Sequence, residues 1–215
     1  MQSIFVHGLG QTPSSWNNTI SLIETSVPFS CPDLHKLLNN QDVTYRNLYH
    51  SFSNYCNDIT QPINLCGLSL GGILALNYAM DYPEKVHSLV LISAQYKMPK
   101  TLLKLQNVIF RFMPDSAFKS IGFQKQDVIK LTSSMVHLDF TPKLKTISCP
   151  TLILCGEKDS ANKKAAAILA DNIPKAKFRL IKSTGHEANT ESPEKLAAEL
   201  NAFYHNLHIN TLRQD

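Results

Sequence analysis

One serine in this 215-residue chain stands where a hydroxyl could be made to react. It is Ser69, in Gly67-Leu68-Ser69-Leu70-Gly71-Gly72. This GxSxG pattern follows the apolar run Ile63–Cys66 and leads into a helical pattern from Gly71, the context of a nucleophile elbow. Such an elbow is a tight strand-to-helix turn that lifts the hydroxyl above the carboxyl end of a sheet. Glycines flank the serine because a Cβ would clash with the turned backbone. The helix N-terminus behind it favours negative charge. GxSxG alone arises by chance in many chains, but the strand before it, the helix after it and the extra Gly72 give it weight.

A serine hydroxyl is a weak nucleophile at neutral pH and needs a base. Of the eight histidines, His186 follows Gly185 just beyond the strand pattern Lys177–Ile181, so it should project at the same sheet edge as Ser69. His35, His50, His87, His137, His205 and His208 fall in helical, loop or tail segments and read as exposed or core histidines. His7 reads as a packing residue. The base in turn needs an acid that fixes its tautomer and stabilises the imidazolium. Asp159, after the strand pattern Thr151–Cys155, is best placed, and the 27 residues from there to His186 leave room for one helix and one strand. Glu157, nearer the strand end, is a rival; Asp139 precedes that strand and reads as a surface or capping residue. His7-Gly8-Leu9-Gly10 follows the first strand. The N–H groups of Leu9 and Leu70 are the expected oxyanion donors, each worth about 3 kcal/mol in acyl transfer. The chemistry expected is attack of Ser69 on a carbonyl, with His186 acting first as base and then as acid.

These residues need a scaffold that gathers strand ends at one rim. Strand and helix signals alternate along the chain, which predicts a doubly wound, mostly parallel α/β sheet. The six expected strands are Ser3–His7, Val27–Cys31, Ile63–Cys66, Val86–Ser93, Thr151–Cys155 and Lys177–Ile181, all short, apolar and bounded by turn residues. Helices are expected over Ser14–Thr25, Tyr45–Ile59, Gly71–Asp81 and Asn162–Asn172, the last on alanine content. Another is expected from Ser192-Pro193-Glu194 to about Asn206, with serine as N-cap and proline at the first helical position.

Residues 94–147 break the alternation. They carry Met98, Leu102, Phe110, Phe112, Met113, Phe118 and Phe123 and suggest short helices forming a cap or lid, since a structureless loop of this length is improbable in a compact domain. The alternative is a helical layer that only extends the core. The chain has a net charge of +4, unevenly spread: residues 94–146 hold nine Lys or Arg and three Asp, a net of +6. That excess could attract an anionic substrate, although solvated lysines on helix surfaces are its commoner cause.

Composition narrows the function classes. A hydrophobic fraction of 43% and a charged fraction of 18% suit one globular domain over residues 1–215. No apolar run approaches the length of a membrane span, and no basic run or RNA-binding motif points to nucleic acid. Cys31, Cys56, Cys66, Cys149 and Cys155 have neither disulfide-framework nor zinc-site spacing, so no metal and no organic cofactor is implied. The first strand begins almost at Met1 with no leader pattern, and the expected location is the cytoplasm.

Taken together, these residues resemble the α/β-hydrolase family, in particular its small esterases and lactonases. The likeness runs through His7-Gly8, Cys31-Pro32-Asp33-Leu34, the Gly67–Gly72 elbow, Tyr82-Pro83-Glu84-Lys85-Val86, Pro150-Thr151-Leu152-Ile153-Leu154 and Gly185-His186. The order Ser69, Asp159, His186 is the one that this family implies. The resemblance implies a core that lacks the usual first two strands, with Val27–Cys31 as an edge blunted by Pro28. It implies hydrolysis of a small carboxylic ester, thioester or lactone through an acyl-enzyme on Ser69. The same scaffold also hosts carbon–carbon bond hydrolases and non-acylating lyases, and, with the pocket used as a receptor, ligand-binding proteins. Oligomeric state is not legible.

Overall fold

The computed structural model describes residues 1–24, 27–115, 118 and 123–212, apart from the side chains of residues 101, 102, 104–107, 208 and 210–212. Six parallel strands form one open sheet in the order β2-β1-β3-β4-β5-β6. They are β1 Gln2–Val6, β2 Phe29–Ser30, β3 Ile63–Leu68, β4 Val86–Ile92, β5 Thr151–Gly156 and β6 Ala176–Ile181. The expected α/β class, strand number and edge position of the second strand are all present. β2 is short: Phe29 and Ser30 of the expected Val27–Cys31 stand in register with β1, and the Pro28 carbonyl accepts from Ser3 N at 2.8 Å, as an edge carrying proline allows.

The strands alternate cleanly between two cores, as period-two side chains must. Ile4, Val6, Ile63, Leu65, Leu89, Leu91, Ile153 and Cys155 face one layer. That layer is built from α3 Tyr45–Asn57, α4 Leu70–Asp81, α6 Lys125–Met135 and α7 Ser160–Asn172. Phe5, Cys66, Leu68, Val90, Ile92, Leu152 and Leu154 face the other, covered by α1 Asn17–Ile20, α8 Ala188–Glu191 and α9 Pro193–Leu212. β6 is covered incompletely, with Leu180 exposed, because it is the opposite edge.

Several boundaries differ from the expectation. Ser14–Thr25 is not one helix but a 3-10 turn, Pro13–Trp16, followed by α1; Thr25 itself lies outside the described residues. Asn17, Asn18 and Thr19 are weak helix formers, and Trp16 is drawn down onto Phe5, ring centroids 5.2 Å apart. The last helix runs beyond Asn206 to Leu212. A short helix α2, Leu34–Leu37, was not anticipated; Asp33 caps it by accepting from the amides of His35 and Lys36.

Between β4 and β5 lie α5 Lys100–Phe112, α6 and a 3-10 segment Thr141–Thr146. Met98, Phe118, Phe123, Val128, Leu131 and Met135 are buried in the same core as α3 and α4, so much of this segment's apolar content is spent on packing. Val108, Ile109 and Phe112, the last at 86% exposed, are exceptions on α5. The side chain of Leu102 is outside the described set. Four of the segment's lysines are paired with acids, Lys97–Asp139, Lys125–Asp115, Lys130–Asp42 and Lys143–Asp81. Two of those acids, Asp42 and Asp81, come from outside the segment and offset part of its charge.

Candidate active site

Ser69 sits between β3 and α4 with φ 53° and ψ −114°, a region that a non-glycine residue occupies only at a cost of about 1–3 kcal/mol. The surrounding chain holds it there. Its amide donates to Ile92 O at 2.9 Å, and its carbonyl accepts from the Ile73 amide at 3.0 Å. A Cβ on Gly67 would collide with the backbone of Gly71 and Gly72, and one on Gly71 with the Val6 carbonyl. The elbow is therefore wedged between its own helix and β1, which is why glycine stands at both places.

Asp159 follows β5 and His186 follows β6. His186 Nδ1 lies 2.9 Å from Asp159 Oδ2. The carboxyl is buried while the imidazole remains partly open. An aspartate accepts here, so Nδ1 carries the proton and Nε2 is the basic nitrogen. The hydrogen bond to Asp159 raises the His186 pKa above the ordinary histidine value; burial opposes this, and the charges of Asp159, Glu187 and Glu191 assist it. For Asp159, burial alone would raise the pKa. Hydrogen bonds from His186 and Asn162, with the Ser93 hydroxyl close by, outweigh it and hold the carboxyl below its ordinary range.

The loop bearing His186 is fastened at several points. One carboxylate, Glu191, accepts from the amides on both sides of the histidine, Gly185 N at 2.7 Å and Glu187 N at 3.0 Å. Gly156, at the end of β5, lies so close to Gly185 that any Cβ would overlap its carbonyl. Beyond His186, the fully buried Asn189 exchanges two amide hydrogen bonds with Gln11, each 3.0 Å. Gln11 also accepts from Gly8 N at 3.3 Å. The segment after β6 is thereby drawn back to the turn after β1. In the strand order, the end of β3 that carries Ser69 lies between those two anchorages.

The amides of Leu9 and Leu70 donate to no group among the described residues. Leu70 N belongs to the first turn of α4, whose leading amides have no intrahelical acceptor. His7 is 2% exposed, with Nδ1 on Gly8 O at 2.9 Å and Nε2 accepting from Leu34 N at 3.3 Å. It packs and braces. His35, His50, His137 and His205 are exposed and His87 is half-buried. Glu157, the rival acid, accepts from Ser183 N at 2.8 Å, and Asp139 pairs with Lys97 and Thr141. Among the described residues no group of histidine, cysteine and carboxylate side chains could hold a metal ion. Sequence reasoning overlooked Gln11, Ser93, Gln95, Asn162, Asn189 and Glu191. Only the Asp–x–x–Asn spacing of 159 and 162, one helical turn, could have hinted at any of them.

Residues 4–199 match the model of the alpha/beta hydrolase family. The chain belongs to that family. A proline iminopeptidase from Heyndrickxia coagulans is 30% identical over 98 residues, 41% of this chain and 34% of that protein. A pimeloyl-[acyl-carrier protein] methyl ester esterase from Wigglesworthia glossinidia brevipalpis is 32% identical over 96 residues, 42% of this chain and 35% of that protein. Each of these two matches spans about a third of the relative's length. Among solved structures, a putative lipase from Acinetobacter baumannii AYE superposes with a TM-score of 0.82 at 22% identity, covering 97% of this chain and 85% of that one; this likeness is one of fold. The protein is thus an alpha/beta hydrolase by family, and among the described residues no helix is long and apolar enough to cross a membrane.

Proposed function

We propose that this alpha/beta hydrolase cleaves a small carboxylic ester, thioester or lactone through an acyl-enzyme on Ser69. The observation that carries this reading is the His186–Asp159 pair at 2.9 Å, on a loop whose continuation is tied by Asn189 to Gln11 beside the turn after β1. In the first half-reaction Nε2 takes the Ser69 proton as the Oγ–carbonyl bond forms. It then delivers that proton to the leaving group as the scissile bond breaks. In the second half, His186 deprotonates water, which attacks the acyl carbon, and the proton returns to Ser69 as the acid departs. The unspent amides of Leu9 and Leu70 would receive the oxyanion in both halves. The Ser69 hydroxyl makes no hydrogen bond among the described residues; in this reading its bond to Nε2 forms only when substrate binds, as is common for catalytic contacts.

The insertion between β4 and β5 serves in this reading as a cap over the acyl group. One relative is by name a methyl ester esterase, and the same bond class is assigned to this chain. The free cysteines, four of them buried, fit action in the reducing cytoplasm. The test is a panel of p-nitrophenyl esters of graded chain length, acyl thioesters and lactones, with product analysis. Ser69→Ala and His186→Ala should each lower kcat about 10⁴- to 10⁶-fold while the folded state persists. Full turnover by either variant would refute the reading.

A further inference from the structure

The acid beside His186 has a support of its own. Asn162, in the first turn of α7, is 8% exposed, and its Nδ2 donates to both carboxylate oxygens of Asp159, at 2.8 and 2.9 Å. The same nitrogen lies 3.2 Å from His186 Nδ1, so an amide and an imidazole approach one carboxylate side by side, both as donors. An asparagine amide has two ends of nearly equal size, and the wrong end would turn an oxygen toward Asp159. The carboxylate, which only accepts, favours the nitrogen, and Gln95 secures that end from the other side. Gln95 lies three residues beyond β4, and its Nε2 is 3.4 Å from the Ala161 carbonyl and 2.8 Å from Asn162 Oδ1. A backbone carbonyl can only accept, so the nitrogen of Gln95 must face it. That nitrogen then engages Oδ1 of Asn162 and leaves Nδ2 to face Asp159. Direction is fixed along the whole chain of bonds: Ala161 orients Gln95, Gln95 orients Asn162, and Asn162 orients Asp159.

We propose that Gln95 and Asn162 are positioning residues for the reaction, with Gln95, at the stem of the insertion between β4 and β5, setting the Asn162 amide that aims the Asp159 carboxylate at His186. This rests on the reading of Ser69, His186 and Asp159 given above. It makes the placement of the insertion's stem part of what orients the base. A buried carboxylate supported on both oxygens stays charged and fixed, whereas one facing an amide oxygen is repelled.

The test compares Gln95→Glu with Gln95→Ala, in the full chain, using p-nitrophenyl butyrate, with kcat and KM separated across pH. Glutamate matches glutamine in size but, ionised, only accepts. It would draw the Asn162 nitrogen to itself and turn the asparagine oxygen onto Asp159. Gln95→Glu should therefore lower kcat on the order of tenfold, the weight of one mis-set buried hydrogen bond. KM should hardly change, the acid limb of kcat should move, and Gln95→Ala should be milder. In an Asn162→Ala background the difference between Glu and Ala at 95 should vanish. If position 95 merely fills space, the order reverses: Ala is the worse variant, activity follows thermal stability, and the proposal fails. Wild-type kcat in Gln95→Glu overturns it as well, as does a Glu effect undiminished by Asn162→Ala. Serine labelling with a fluorophosphonate counts competent sites in every variant. Activity surviving Ser69→Ala or His186→Ala would instead sink the underlying reading, an outcome separable from failure at position 95.

Discussion

Asp159 stands where an aspartate ordinarily caps its own helix, as the residue before α7, yet its side chain makes no capping bond. A capping bond is worth about 1 kcal/mol; here the carboxylate is turned to His186 and Asn162 instead. In the proposed reading that arrangement favours chemistry over local stability, and it separates Asp159 from Glu157, which is occupied with the Ser183 amide. Asp159→Asn should lower kcat about 10⁴-fold, as neutralising a relay acid does elsewhere, while Glu157→Gln should stay within a few-fold of wild type; steady-state kinetics on one ester decides between them. The pH profile should carry the same signature. His186 must be neutral to act as base and its pKa is raised by Asp159. The acid limb of kcat/KM should therefore lie above the ordinary histidine value and move to lower pH in Asp159→Asn. Ser69, Asp159 and His186 could be proposed from the sequence because the proposed chemistry demands each residue type and each follows a recognisable strand. Asn162 and Gln95 could not, since amides are common everywhere and theirs matter only once α7 and the end of β4 are brought together.

At the scale of elements, close approach explains most of what glycine does here. Because a Cβ on Gly71 would strike the Val6 carbonyl, Gly71→Ala should force β1 and α4 apart and lower thermal stability severely, or prevent soluble expression. The loop after β6 depends on a different device. Glu191→Ala removes the acceptor of two amides flanking His186. It should cost about 1–3 kcal/mol in urea unfolding and reduce kcat more than KM, because the histidine loses its restraint. Strand identity was readable from apolar runs, and the edge place of the second strand from the resemblance. The first helix was misjudged because Trp16 packs on Phe5 and breaks the segment into two short turns, a tertiary effect that helical spacing does not contain. Position at the sheet edge leaves Leu180 of β6 exposed, which its own apolar run does not show.

For the whole molecule, one buried histidine makes stability depend on pH in a predictable sense. His7 donates from Nδ1 and accepts at Nε2, so the folded state requires it neutral, and burial lowers its pKa. The unfolded chain therefore binds that proton more tightly. His7's contribution is complete above the ordinary histidine value, declines as pH falls below it, and levels off beneath the folded value. His186, raised on folding, works in the opposite direction, so the difference between wild type and His7→Gln isolates the effect. Their unfolding free energies should diverge most at pH 8 and converge toward pH 5. The two-layered core was largely legible from composition and alternation; that the insertion shares that core, through Phe118 and Phe123, was not, because apolar content alone does not say which surface it covers.

The central claim is that His186 makes Ser69 a nucleophile that becomes acylated. Rapid-quench mass spectrometry of the intact protein during turnover of a p-nitrophenyl ester measures this directly, with peptide mapping of the adduct. The account predicts an acyl mass on Ser69 that forms and decays at rates compatible with turnover, and whose formation collapses in His186→Ala. Steady hydrolysis with no adduct, in a reaction whose deacylation has been slowed enough to trap one, or acylation at an undiminished rate without His186, would contradict it.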